Sequence, residues 1–268
     1  MVKGGETMNF SLAENSFGGQ FSTYPEKHSA SLKNKIACWL GIDSDEVVIG
    51  NGSDQLIDLI AEVFLGTKVV CLIQIPTFFR IIEVVNKCKA TLVTVSPTPE
   101  ENFSLGENFC LRVEKMIKQL NPQVIWLCSP NNPTGETINP KLIARIAQKT
   151  KGLVVVDEAY QEIFDPENKF SAVKLIKEHK NILVTKSFSK AFGLAGIRVG
   201  MCIANSKIAK ALESNQLNFP ISTSSERAAI SALDDSDFLN KVQDHFEKER
   251  MFLFSEIDKL SNLERGGN

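Results

Sequence analysis

The stretch QVIWLCSPNNPTGETINPKLIARIAQKTKGLVVVDEAY, residues 123–160, decides the fold class of this chain. It holds two short apolar runs, VIWLCS (124–129) and LVVV (153–156), on either side of a segment whose Leu142, Ile143 and Ile146 fall at helical spacing. The runs do not alternate apolar with polar residues, which is what a strand covered on both faces requires. Strand, helix and strand in that order predict a parallel unit with a helical crossover. The same pattern recurs outward. EVVI (46–49), KVVCLI (68–73), ATLVTV (90–95), NILVT (181–185) and IRVGMCIA (197–204) read as further strands. Leu56, Ile57, Leu59, Ile60, Val63 and Phe64 form a wide apolar stripe at helical spacing, and Ile208 and Leu212 a weaker one. The expectation is an α/β protein with a mostly parallel sheet between helical layers.

The two ends differ from the middle. Residues 1–25 are polar and rich in Gly and Ser and read as an extended arm, with residues 26–221 as the main α/β domain. From Ser222 the chain turns helical, with a long pattern at 238–260, so residues 222–268 read as helices leading into a truncated second domain. Phe246, Met251, Phe252, Phe254, Ile257 and Leu260 on that long helix are then expected to lack a cover.

Composition excludes several roles. The 268 residues carry 30 basic and 32 acidic side chains for a net charge of −2, which leaves no field for binding nucleic acid. No apolar run approaches the roughly 20 residues that span a bilayer, and the amino terminus MVKGGETMNF has no apolar signal core. Cys38, Cys71, Cys88, Cys110, Cys128 and Cys202 form no CxxC pair, and His28, His179 and His245 stand far apart. No metal site is expected, and all six thiols are read as reduced packing residues of a cytoplasmic protein.

In an open α/β sheet, ligands bind beyond the carboxyl ends of the strands. Five predicted strands deliver small, polar or charged residues to that edge: GNGSDQ (50–55), QIPTF (74–78), PNNPTG (130–135), DEAY (157–160) and KSFSK (186–190). GNGSDQ can cradle a phosphate on its backbone N–H groups, or be a tight turn capped by Ser53 or Asp54. Its third glycine is replaced by Gln55, and the charge of Asp54 competes for the same helix end. Asp157 at the mouth of an apolar strand is either a local cap, a partner for a lysine, or a carboxylate facing a cationic ligand atom. Lys190 is surrounded by small and aromatic residues, with Ser187 and Ser189 before it and Arg198 eight positions on. Hydroxyl and guanidinium donors of that kind suit a phosphate, and a lysine beside an anchored phosphate suits a Schiff base with an aldehyde cofactor.

SPNNPTG (129–135), VVVDEAY (154–160) and TKSFSKAFGLAGIRVG (185–200) together resemble the signature set of fold-type I aminotransferases that use pyridoxal 5'-phosphate. With GNGSDQLID (50–58) and YPE (24–26), the resemblance is closest to the histidinol-phosphate aminotransferase branch, over roughly residues 10–262. It implies a three-layer αβα large domain like that of aspartate aminotransferase. Lys190 would carry the cofactor and shuttle a proton, and Asp157 would pair with the ring nitrogen. Asn132 and Tyr160 would hydrogen-bond the phenolic oxygen. Ser187, Ser189 and Arg198 would hold the phosphate, helped by the backbone at Gly52, Ser53 and Asp54. Phe78 falls where the family usually has a stacking tyrosine, and Tyr24 resembles the tyrosine that reaches the phosphate of a partner subunit, which implies a homodimer. The reaction implied is amino transfer between an amino acid or amino alcohol phosphate and 2-oxoglutarate. The same cradle also resembles threonine-phosphate decarboxylases.

Two departures from the family pattern accompany this. Ser16 in LAENSFGG stands where proline is common, and Arg265 belongs to no motif that resembles the family's carboxylate-clamping arginine. The substrate half of the site is therefore expected to be largely missing, and a cofactor-binding chain without turnover is the competing expectation. A dinucleotide-binding oxidoreductase built on GNGSDQ is a third reading.

Overall fold

A computed structural model describes residues 22–165 and 169–260. The expected arm (1–25) lies almost wholly outside them, as do Ser16 and Arg265. In chain order the described elements are α1 (Ala30–Leu40), β1 (Val47–Asn51), α2 (Gly52–Phe64), β2 (Val70–Gln74), α3 (Phe79–Lys87), β3 (Thr91–Val95), α4 (Glu107–Leu120), β4 (Val124–Cys128), α5 (Pro140–Lys149), β5 (Leu153–Asp157), α6 (Gln161–Phe164), β6 (Ile182–Ser187), β7 (Val199–Ala204), α7 (Ser206–Ser214), α8 (Thr223–Asp234) and α9 (Ser236–Ile257). Every strand read from the sequence is present.

The strands form one sheet in the order β1-β7-β6-β5-β4-β2-β3. β2, β3, β4, β5 and β6 run parallel, while β7 is antiparallel to both of its neighbours, β1 and β6. β1 therefore points the same way as β6, so the ends of β1, β2, β4, β5 and β6 and the start of β7 share one edge.

Why the central strands carry continuous apolar runs follows from the two cores, whereas β3 at the edge exposes Thr91 and Thr94. Successive side chains of a strand point to opposite faces. Ile49, Leu72, Ile125, Leu127, Val154, Val156, Ile182 and Val184 enter one core with Leu32 and Ile36 of α1, Phe109 and Val113 of α4, and Ile143 and Ile146 of α5. Val48, Cys71, Ile73, Trp126, Val155 and Leu183 enter the other with Leu56 and Ile60 of α2, Val84 of α3 and Leu212 of α7. This is the three-layer αβα arrangement.

Three details depart from the sequence reading. α2 begins at Gly52 with Asn51 in the cap position and no side-chain cap, so neither Ser53 nor Asp54 caps it. Gly52 has φ +73° and turns the chain directly from strand into helix, one step earlier than a capping side chain would. β6 continues to Ser187 and carries Lys186 into the interior. Cys38 is exposed on α1 and is no packing residue, whereas Cys71, Cys110, Cys128 and Cys202 are buried. Burial pushes the thiols of Cys71 and Cys110 up to about 12 and about 11. On α9, Phe246, Met251, Phe252 and Leu253 are exposed. No helix among the described residues is long and apolar enough to cross a membrane.

Candidate active site

The shared edge encloses a cavity of about 160 Å³. Its wall collects Ser53 and Asp54 from α2, Phe78 after β2, Asn132 after β4, Asp157 and Tyr160 from β5 and its following turn, Ser187, Ser189 and Lys190 from β6 and beyond, and Arg198 before β7. Ten of the sequence-selected positions thus meet in one place. A wider depression of about 810 Å³ opens at the opposite edge, and no selected residue lines it.

Asp157 ends β5 and is 3% exposed. Its Oδ1 accepts from the Ala159 N–H at 3.1 Å and from the Thr185 hydroxyl at 3.2 Å, so both donors fall on one oxygen. No described salt bridge reaches it, against the reading that pairs it with a lysine. Burial raises its pKa from 3.8 to about 6, partly opposed by those two hydrogen bonds and reinforced by the charges of Glu158 and Asp54. A carboxyl held in this way favours a cation or a proton donor beside it.

Asn132 donates from Nδ2 to the Tyr160 hydroxyl at 3.3 Å, which puts an amide and a phenol side by side. The Lys190 ammonium stands 5.4 Å from the centre of the Tyr160 ring. Ser187 Oγ accepts from the Ser189 N–H at 3.1 Å, closing a small turn at the end of β6.

Arg198 has φ +57° and donates from Nη2 to Asp54 Oδ2 at 2.8 Å and from Nη1 to the Ala195 carbonyl at 3.2 Å. The Gly52 N–H donates to the Arg198 carbonyl at 3.0 Å. Ser53 and Asp54 occupy the first turn of α2, where backbone N–H groups have no acceptor within the helix. The competition anticipated for Asp54 takes this form: its carboxylate lies against the guanidinium at the same helix end.

Close approach of α2 to β7 depends on Gly200. A Cβ there would come within 2.4 Å of the Ser53 nitrogen and 2.5 Å of the Gly52 carbonyl carbon, both rigid backbone. Gly200→Ala is expected to lower stability by about 1–3 kcal/mol, as overpacking does. Urea unfolding checks this, and an unchanged midpoint would show that α2 can step back freely.

Tyr24 does not line the cavity. Its ring is 54% exposed and stacks on Phe219, with centroids 4.9 Å apart. The sequence reading also passed over Lys186, Glu158 and Glu162, a fully buried charged cluster behind the cavity wall. The signal was available: strand alternation places Lys186 and Glu158 opposite to Asp157 and Thr185, on a face where charge is costly. Among the described residues no group of three or more metal-binding side chains is gathered.

Comparison with known proteins places this arrangement in context. The profile of the family "Aminotransferase class I and II" matches residues 10–267. The histidinol-phosphate aminotransferase of Ruminiclostridium cellulolyticum is 33% identical over 250 residues, which are 91% of this chain and 66% of that protein. Histidinol-phosphate aminotransferase 2 of Archaeoglobus fulgidus is 33% identical over 242 residues, 90% of this chain and 66% of its own. The chain thus spans about two thirds of the length of the curated relatives it matches. A solved structure of the Sinorhizobium meliloti histidinol-phosphate aminotransferase, in complex with pyridoxal-5'-phosphate, superposes with a TM-score of 0.80 at 24% identity, over 90% of this chain and 64% of that one. Thermus thermophilus aspartate aminotransferase with maleate superposes with a TM-score of 0.80 at 22% identity, over 91% and 67%. The fold is that of aspartate aminotransferase.

Proposed function

The chain belongs to the aminotransferase class I and II family, and from that premise we propose that it acts as a pyridoxal-phosphate-dependent aminotransferase of the histidinol-phosphate type. The observation that carries the reading is the convergence of Asp157, Lys190, Arg198 and the Asn132–Tyr160 pair on one cavity.

The residues fit pyridoxal phosphate. Asp157 is buried and takes both of its donors on one oxygen, so it can receive a protonated ring nitrogen on the other. Ser187, Ser189, Arg198 and the first-turn N–H groups of Ser53 and Asp54 make a donor set for a phosphate dianion, with Gly52 fixing the turn. Asn132 and Tyr160 offer donors to a phenolate oxygen, and the Phe78 ring gives an apolar flank. When bound, the cofactor supplies an aldehyde carbon for covalent attachment to an amine and a cationic ring that accepts an electron pair from the substrate.

The chain's own residues do the rest. Lys190 provides the attaching amine and, once free, a base that removes and returns a proton at the substrate Cα. Asp157 keeps a proton on the ring nitrogen. Tyr160 orients the Lys190 amine across its ring face. We propose that the amino group moves between an amino acid or amino alcohol phosphate and 2-oxoglutarate, in a cytoplasmic homodimer. Tyr24, exposed and stacked on the half-buried Phe219, supports a subunit contact there.

Purified chain loaded with pyridoxal phosphate, given L-histidinol phosphate and 2-oxoglutarate, is expected to form glutamate. Release of carbon dioxide from O-phosphothreonine in place of glutamate formation would overturn the transferase assignment in favour of a decarboxylase. Cofactor binding with neither product would make this chain a binder without turnover.

A further inference from the structure

Behind the cavity wall, on the other face of the sheet, three charged side chains are sealed from solvent. Lys186 of β6 and Glu158 just past β5 are 0% exposed, and Glu162 in α6 is 3% exposed. The Lys186 ammonium donates to Glu162 Oε1 at 2.6 Å and lies 2.9 Å from Glu158 Oε2. Glu158 also accepts from the Ser171 hydroxyl at 2.8 Å and the Ala172 N–H at 2.5 Å, while Glu162 Oε2 has no partner among the described residues. One lysine therefore serves two carboxylates. Taking such ions out of water is costly, and well-packed apolar residues of similar volume often stabilise a core as well or better. Stability alone gives no reason for this cluster.

Its placement does. β5 and β6 pair Asp157 with Thr185, so the next residue on each strand, Glu158 and Lys186, faces the opposite side. The chain between Glu158 and Glu162 carries Ala159, whose N–H binds Asp157, and Tyr160, whose hydroxyl accepts from Asn132. One ammonium holds both ends of that turn. α9 is tied to it as well, because Gln243 Nε2 donates to the Glu162 carbonyl at 2.6 Å.

From this geometry we infer that Lys186 is a positioning residue: by gripping Glu158 and Glu162 it fixes the turn that keeps Asp157 dry and Tyr160 on the cavity wall. The purpose of the device rests on the proposed cofactor reading, but the positioning is a property of the chain itself. Around Asp157 the titratable groups are Glu158 next in chain, Asp54 of α2, Cys128 of β4, and Tyr160, Lys190 and Arg198 on the cavity wall.

The test uses the full chain and three variants. Lys186→Met with Glu162→Gln removes the grip while leaving the cluster's net charge unchanged at one negative. Glu162→Gln alone leaves a neutral buried Lys186–Glu158 pair, so it folds even if the double variant does not. Carboxyl-carbon NMR reads the Asp157 midpoint, and hydrogen exchange reads the Ala159 amide. The wild-type midpoint near 6 is expected to fall by about one pH unit as water reaches the carboxyl. Exchange at Ala159 is expected to quicken by about tenfold or more while Val155 in β5 stays protected. Lys186→Arg is expected to keep both values. A folded double variant that retains the wild-type midpoint and Ala159 protection would overturn the inference, as would a midpoint that rises. Adding pyridoxal phosphate separates the two proposals. A wild-type chain that binds none overturns the cofactor reading, and the NMR result still decides the role of Lys186.

Discussion

Lys190→Ala is expected to abolish the visible absorbance band that pyridoxal phosphate develops on the wild-type chain, and to slow amino transfer by at least about 10²- to 10⁴-fold. Lys190 is the lysine on the cavity wall, and no described ion pair engages its ammonium. Lys186 cannot take its place, being sealed on the other face of the sheet between two carboxylates. Borohydride reduction followed by peptide mapping is the direct check. Wild type should carry the reduced cofactor on Lys190, and the alanine variant should carry none. A band of equal strength in the variant, or mapping to another lysine, would remove Lys190 from the mechanism.

Asp157→Asn should separate stability from function. The folded carboxyl keeps its proton to about pH 6, whereas the unfolded one loses it near 3.8. Between those values the folded state binds more protons, so stability falls as pH rises through this window, and above about pH 6 the whole penalty, roughly 3 kcal/mol, is present. Asparagine carries no such penalty and can still accept from Ala159 and Thr185. The variant is therefore expected to be the more stable protein by up to about 3 kcal/mol at pH 8 and equal to wild type below pH 4. Its hold on the cofactor is expected to weaken by about 2–5 kcal/mol, roughly 30- to several thousand-fold, because a charge-paired contact is lost. Urea unfolding at pH 4, 6 and 8 beside a cofactor titration reads both. Parallel stability curves would mean that Asp157 does not titrate in isolation from water.

Much of this was legible in the sequence, for identifiable reasons. The central strands carry continuous apolar runs because both faces of the sheet are covered there, so each run stood out against amphipathic surroundings, while β3 at the edge exposes Thr91 and Thr94. The edge residues converge because a parallel sheet aligns carboxyl ends. Arg198 is different. It precedes a strand running the other way, and only its place in TKSFSKAFGLAGIRVG linked it to Lys190 before β7 was seen to be antiparallel. Lys186 was missed because a charge after NILVT reads as the end of a strand. Glu158 and Glu162 neutralise it, so the strand continues. The start of α2 was set too late because Gly52, with its positive φ, replaces a capping side chain.

The placement of β1 beside β7 has a consequence for how the protein is made. Val47 pairs with Ile203, so the first strand described in this sheet has its partner in the last one. At about 5–20 residues per second, translation separates the two by roughly eight to thirty seconds. During that interval the nascent chain carries an unpaired apolar edge at Val47–Ile49, and Ser53 and Asp54 have no Arg198 to face. Slow, long-range closure of this kind is where folding loses material to aggregation. Yield in a cell should therefore respond to chaperone supply during synthesis more than to the stability of the finished protein.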